Sequence, residues 1–486
     1  MIGEVSAAPN GARPVLCQVA FSVVDLVAAE RWFRDGLGFV PAGGARLALR
    51  GPLYSAGTGL PRAASTCWWL VGRGEFVQLE LFQFERPLAR LMDDEVRACD
   101  VGYRRIGVWV ADFDEALSRL ERLGSPPMGD VVGPLGERRA CVRNPDGVYA
   151  EVMEDDPLSG AGLAGGRSSC PVALRSVSMS VKDLAGSEAF FSGLGLGHSD
   201  VSLRAPEHEA VWGLPGARSE NRVFDGGSVL LEVGQYLDPM GRDRPADYRI
   251  SDQGILNIAF GVRSRHENES ILRRASEAGG SLNSKPTRLP GGGGAYVNDP
   301  QRFSVELMWL SPSAERWCGF VPRPGGRRPR ADTHSAEVTV QIAAPIEVTW
   351  AVIADHDGMS AWSGASVRRI REGRTDPAGR GSERLLTLRG GAKVTEQVVV
   401  FERPTLYRYR VTKGGPFICH QGDIRLRTHG DQTELTWTIR FRPRLPGTGR
   451  LLSRMLSRQL ERSLNRGLRR YVEALERARR LDLGAR

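Results

Sequence analysis

In a β-strand, residues two apart share a face, and several stretches of this chain alternate so that one face could do chemistry. Gln18, Ala20 and Ser22 lie together, opposite the apolar Val19, Phe21 and Val23. Gln78, Glu80 and Phe82 share a face, as do Arg105 and Trp109, and Tyr149, Glu151 and Met153. These residues make a polar and aromatic cleft wall. There Glu80 and Glu151 could move protons while Arg105 holds an oxyanion or enolate; an inert buried ion pair is the competing reading. Further on, His420 alternates with Ile418, Ile424 and Leu426, and Glu396 lies between Val394 and Val398. With Tyr407, Tyr409 and Trp437 they suit a cavity that positions an oxygenated or aromatic ligand and transfers protons. The same groups also suit the polar fixtures of a purely binding pocket.

The elements that must position these residues repeat along the chain. A strand ends in "VVDL" at Val23–Leu26, "VADF" at Val110–Phe113, "VKDL" at Val181–Leu184 and, more faintly, "VRSR" at Val262–Arg265. Helical segments follow: "VAAERWF", "DEALSRLERLG", "AGSEAFF" and "ENESILRRASEAGG". Each unit closes on a strand bearing a glutamate, "VQLELF", "VYAEVM", "VLLEVG" and "SVELMW", with turn signals "NPDG" and "NDPQ" before the second and the fourth. Four strand-helix-strands modules are predicted, arranged as two pairs. Linker-like stretches at Asp155–Pro171, rich in Gly and Ser, and Phe320–Ser335, rich in Pro and Arg, divide the chain into three parts. The third part reads as an alternating strand and a Pro-started helix over Ala336–Trp362. Further strands and an amphipathic helix from about Gly449 to Leu481 follow.

Composition narrows the function classes. A chain of 486 residues exceeds one hydrophobic core and suits about three domains. No apolar run reaches the ~20 residues of a membrane span, and the first residues lack the order of a signal peptide, so a cytoplasmic protein without a membrane span is expected. The net charge of +9 is carried almost wholly by arginine, with no nucleic-acid motif, and no nucleic-acid partner is expected. Seven cysteines occur singly, without a CxxC pair, as reduced thiols would. "LPGGGGAY" at Leu289–Tyr296 lacks the ending of a phosphate loop and reads as a flexible hairpin at the cleft mouth.

The Asp-Leu strand endings, the "WFRDGLGF" helix exit and the closing glutamates resemble the vicinal oxygen chelate superfamily over Pro14–Pro312. That superfamily includes glyoxalase I, extradiol dioxygenases and bleomycin-resistance proteins. The third part resembles the START-like polyketide cyclase/dehydrase family, in which a curved antiparallel sheet grips a long helix around a ligand cavity. Together the resemblances imply an α+β chain. Four βαβββ modules would form two vicinal oxygen chelate domains at residues 12–157 and 171–312, followed by a helix-grip START-like domain at 333–482.

By the resemblance, metal ligands would come from the first and last strands of each module. In the first domain those positions hold Gln18, Glu80, Arg105 and Glu151, and a guanidinium cannot ligate a cation. The first histidine of the chain is His198. In the second domain the positions hold Ser176, Glu232, Asn257 and Glu306, oxygen donors that suit a hard cation at best, or two carboxylates sharing a proton. No cofactor is therefore expected. Any divalent metal would use Gln18, Glu80 and Glu151, or Glu232 and Glu306. In the START-like part the resemblance puts Asp355, His356 and Trp362 at the pocket rim. The arginines of the last helix read as its solvated face, with a membrane surface as the other use of a basic amphipathic helix.

The resulting expectation is an enzyme, of lyase, isomerase or cyclase type, performing metal-independent proton transfer on an oxygenated, largely apolar metabolite. Catalytic candidates are Glu80, Arg105, Glu151, Glu396 and His420. Ligand-binding candidates are Gln18, Trp109, Tyr149, Ser176, Glu232, Asn257, Glu306, Trp362, Tyr407 and Tyr409. A non-catalytic sequestering protein is the alternative, and a metal-dependent glyoxalase- or dioxygenase-like enzyme the third. The partner expected is a small molecule, and family members' varied dimers leave a homodimer open.

Overall fold

The computed structural model describes residues 13–45, 49–159, 170–204, 206–325, 333–388 and 390–484. Most of the Gly/Ser-rich linker and part of the Pro/Arg-rich one lie outside the described residues. The chain divides into two compact units, Met1–Pro329 and Arg330–Arg486.

In the first unit the recurrent aspartate of three modules caps a helix. Asp25 accepts from the backbone N–H groups of Val27 and Ala28, Asp112 from Glu115 and Asp183 from Gly186. The fainter fourth repeat uses Ser264 in a reciprocal capping box with Glu267. Each cap satisfies otherwise orphaned donors at the helix start and fixes where the strand ends. The helices Leu26–Arg31, Phe113–Arg122, Leu184–Gly193 and Arg265–Glu277 follow the opening strands Val15–Ser22, Gly102–Val110, Val172–Ser180 and Gly254–Val262. Each module's closing strand, Gln78–Arg86, Tyr149–Met153, Leu230–Asp238 or Ser304–Leu310, returns parallel to its opening strand.

The modules do not pair in chain order. Val15–Ser22 of the first pairs antiparallel with Gly254–Val262 of the fourth, inside a ten-stranded sheet. Gly102–Val110 of the second pairs with Val172–Ser180 of the third, inside a seven-stranded sheet. The stretches 12–157 and 171–312, expected as successive domains, thus share their sheets, the first module joining the fourth and the second the third within one compact unit. Alternation specifies which face of an opening strand is buried, and both arrangements satisfy it. The choice of neighbouring edge is a long-range decision. Ion pairs also link the connecting segments 87–101 and 239–253: Arg90 with Asp247 and Asp252, and Arg242 with Asp100, which Arg97 also meets.

The glycine stretch expected as a hairpin does turn as one, Thr287–Leu289 pairing antiparallel with Gly292–Asn298, but its glycines are not loop residues: they form the second strand, which also pairs with Ser304–Leu310. A Cβ on Gly293 would collide with the Thr287 carbonyl oxygen, and one on Gly294 with that of Leu307. Bare backbone is what lets these strands close up.

The second unit is a seven-stranded antiparallel sheet, from His334–Ile342 at one edge to Ser366–Arg371 at the other. Helix Ile346–Ala354, the short helix Ser360–Ser363 and a long C-terminal helix complete it. The last runs from Gly449 to Gly484 with a π-turn at Ser463–Leu468. Leu460, Leu464 and Leu468 are buried, with Leu452 and Leu456 packed on the same core. A Cβ on Gly467 would collide with the Trp362 carbonyl oxygen, so glycine is what lets the long helix meet the short one.

Candidate functional site

The exchanged pairing sorts the candidates into different company. Arg105 does not meet Glu80. It lies between Glu151, at 3.2 Å, and Glu232, at 2.5 Å, in the cleft of the second and third modules. Glu80 and Gln18 lie with Asn257 and Glu306 in the cleft of the first and fourth.

The cleft with Arg105 is locked. The Trp212 ring covers the guanidinium at 3.3 Å, and its Nε1 donates to Glu151 at 3.0 Å. Glu232, fully buried, accepts from Ser178 at 2.5 Å, from Asn221 at 3.3 Å and from Arg204. Arg204 also reaches Glu209 at 2.9 Å, and Tyr236 donates to the same carboxylate. Burial raises the Glu232 carboxyl, but the positive charges of Arg204 and Arg105 outweigh it and hold the group down at about 2. Ser178, two residues beyond the predicted Ser176, is the partner of Glu232 because it sits directly across the ladder from it. Ser176 abuts Gly107, where a Cβ would meet its hydroxyl. Tyr149 is buried with Trp212 and Tyr236, and its hydroxyl donates to the Val96 carbonyl. Trp109 turns to the strand's far end, donating to the Glu154 carbonyl under Arg73. With every carboxylate here paired and an indole wedged among them, this cleft holds its own ions in the place of a ligand.

The other cleft has the opposite electrostatics. Glu80 accepts hydrogen bonds from Trp69 Nε1 at 2.8 Å, from the Cys67 thiol at 3.1 Å and from the Gln18 amide. Among the described residues no Lys or Arg pairs with Glu80 or Glu306. Burial, outweighing those hydrogen bonds, pushes the Glu80 carboxyl up to about 7. Burial and then the charge of Glu80 push Glu306 up to about 8. Two such groups keep a proton between them at neutral pH. Asn257 is buried, and its carboxamide lies beside Glu306, whose carboxyl it helps to hold down against burial. Its backbone lies directly across from Ala20, on the face that carries Gln18. Tyr54, Trp69 and Tyr296 are only partly buried, with Phe82 and Phe84 behind. An aromatic wall thus surrounds two carboxylates with no cation paired to either among the described residues, the second of them beside the Tyr296 hydroxyl and the Asn257 amide.

A divalent metal of the kind the resemblance implies is a poor fit here. Two carboxylates are present, yet among the described residues no three His, Cys, Asp or Glu gather as a metal group. Gln18 turns its amide N–H to Glu80, and the Gln78 amide donates to the Gly319 and Cys318 carbonyls at 2.8 and 3.1 Å. These side chains satisfy partners of their own rather than converging oxygens on one point.

In the second unit the interior polar group centres on Arg384, which alternation in "ERLLTL" could have exposed as inward-facing. Arg384 donates to Glu396 at 2.8 Å and to the Tyr407 hydroxyl at 3.2 Å. His356 Nε2 lies 2.6 Å from the same hydroxyl. Burial, with Arg384 and Arg369 adding to it, lowers His356 to about 3, and burial lowers His420 to about 4, so both imidazoles are neutral at neutral pH. His420 does face inward, against Phe417 and Tyr409, with Nδ1 unpartnered. Its partner is not Glu396, which Arg384 takes. Tyr409 accepts from Trp437 at 3.2 Å, and Trp362 is buried beside Trp437. His356, assigned to the rim, lies inside.

Comparison with known proteins agrees with this division. The family model described as Glyoxalase/Bleomycin resistance protein/Dioxygenase superfamily matches residues 17–141, and that described as Polyketide cyclase / dehydrase and lipid transport matches 333–476. Among solved structures, glyoxalase I from Zea mays is 16% identical, covering 63% of this chain and 96% of its own, with a TM-score of 0.42. A putative dioxygenase from Bacillus subtilis is 12% identical over 65% of this chain and 93% of its own, with a TM-score of 0.44. A START superfamily protein from Mycobacterium smegmatis is 18% identical over 29% of this chain and 99% of its own, with a TM-score of 0.27. No curated protein matches by sequence. The chain thus joins a β-rich, glyoxalase-like region to a domain of one antiparallel sheet and a long C-terminal helix that is similar to the polyketide cyclase / dehydrase family. Among the described residues, no helix is long and apolar enough to cross a membrane.

Proposed function

We propose that this chain is a small-molecule enzyme whose reactive cleft lies between the first and fourth modules. It moves protons on an oxygenated, largely apolar metabolite such as a polyketide or aromatic intermediate, in an isomerisation, dehydration or cyclisation. The carrying observation is the pair Glu80 and Glu306, gathered behind aromatic walls with no Lys or Arg paired to either among the described residues. One carboxylate takes a proton from carbon beside a carbonyl, the other returns a proton to carbon or oxygen, and the Asn257 amide donates to the substrate oxygen. The helix-grip interior supplies a second concave site for the same class of ligand, with Arg384, Tyr407 and His356 as its polar anchors. Sequestration without turnover is the second reading, favoured by the locked state of the other cleft.

Hydrogen–deuterium exchange separates the two. Full-length protein is incubated in deuterated buffer with a panel of aromatic and polyketide ketones, and label entering the ligand is read by mass spectrometry. Exchange is expected for at least one ligand. Glu80→Gln and Glu306→Gln should each slow it by roughly 10²-fold or more, and a chelator should leave it unchanged. A ligand that binds and is recovered unlabelled with wild-type protein, across the panel, favours sequestration.

A further inference from the structure

The helix Gly449–Arg462 uses only part of its apolar surface in the fold. Leu452, Leu456 and Leu460, four apart, pack on the sheet and continue to Leu464 and Leu468. Leu451 and Met455 stand one position earlier on each turn, about 100° around the helix, and do not join that ladder. They are 60% and 58% exposed, and Leu445, in the turn before the helix, is 67% exposed.

Arginines surround this unused face. Arg450, Arg454, Arg458 and Arg462 follow at four-residue spacing, all exposed. Among the described residues no carboxylate forms an ion pair with any of the four. Contrast Arg469, seven residues on, which pairs with Glu473 at 3.0 Å. Glu461 is the one acidic residue in the helix. The exposed arc from Arg450 through Glu461, Arg454, Arg458, Leu451 and Arg462 to Met455 is therefore net cationic, four guanidinium groups against one carboxylate, with Leu451 inside it and Met455 at its border. A face meant only for water gains nothing from Leu451 and Met455, and a protein-facing patch does not call for four unpaired guanidinium groups.

We propose that this face docks on an anionic phospholipid bilayer. The helix would lie in the plane of the headgroups, with Leu445, Leu451 and Met455 entering the acyl boundary and the arginines meeting lipid phosphates. Its 14 residues extend about 21 Å, a contact compatible with reversible, salt-sensitive binding rather than insertion. The long helix closes one side of the helix-grip interior, so docking would put that interior next to a store of apolar ligand. This inference does not depend on the chemistry proposed for the other unit.

The test is flotation of the full-length chain with vesicles of phosphatidylcholine alone or with about one-third phosphatidylglycerol. Binding is expected to the anionic vesicles only, falling at least about tenfold in about 0.5 M sodium chloride. Arg454→Glu/Arg458→Glu should abolish it, and Leu451→Ser/Met455→Ser should weaken it at least about fivefold. Both variants alter exposed positions, and an unchanged circular dichroism melt shows that they remain folded. Absence of binding to anionic vesicles overturns the proposal. So does binding that the serine pair leaves intact, which would point to a non-specific polyanion site of the kind nucleic acid would also occupy. A dimer that the serine pair dissociates, with no vesicle binding, assigns the face to a second copy instead.

Discussion

Arg105 carries the sharpest lesson among single residues. Its identity alone argues against a metal, and the structure shows what it does instead: it neutralises Glu151 and Glu232 in the interior. A buried ion cluster contributes little net stability when whole, yet removing one partner is costly because the remaining charges are stranded. Arg105→Met should therefore destabilise the first unit by about 3–5 kcal/mol in urea unfolding. The exchange activity proposed for the other cleft should persist where the protein is folded. The cluster also predicts an acid limit. Glu232 is held at about 2, below its ordinary 4.5, so its contribution is fully present above about pH 4.5 and is lost as pH falls towards 2. The wild-type melting temperature should drop through that window, and Glu232→Gln should flatten this part of the dependence.

Among the elements, a short helix decides which cleft can work. The helix Pro206–Val211, between two strands of the third module, delivers Trp212 into the space beside Arg105. No equivalent indole fills the first–fourth cleft among the described residues: Trp69 there is partly exposed and donates to Glu80 from the wall. Trp212→Ala removes a buried indole together with its hydrogen bond to Glu151. A loss of about 3–5 kcal/mol is expected, seen as earlier unfolding of the first unit in denaturant. Opening the space should not create activity, because Arg105 still occupies the carboxylates. Trp212 and Arg204 escape a reading by alternation because they lie outside the regular strands, on a helix end and a loop. Cys67 and Trp69, by contrast, alternate on one strand and were legible in principle.

For the molecule as a whole, the exchanged pairing makes a prediction that successive domains would not. A fragment of residues 13–158 contains the first and second modules, whose opening strands both lose their partners. It should aggregate or self-associate when produced alone, as should residues 170–325, because each presents bare strand edges. Produced together, the two fragments should recover a soluble one-to-one complex by size-exclusion chromatography with light scattering. Independently folded monomeric fragments would contradict the ladders between Val15–Ser22 and Gly254–Val262 and between Gly102–Val110 and Val172–Ser180.

The modules, their capped helices, the inward face of each strand and so the residue types available to each cleft are all legible in the order of residues. Those features are written in local periodicity and in capping chemistry that acts within a few residues. The same order places Gln18, Glu80, Asn257 and Glu306 at equivalent positions of their modules. That these four share a cleft while Arg105 goes to the other is settled in three dimensions alone. Strand alternation sets which face is buried and is silent on which edge is met. That choice rests on contacts between distant parts of the chain, and with it goes the division of the first unit into a locked ionic cleft and a carboxylate pair that no Lys or Arg pairs with among the described residues.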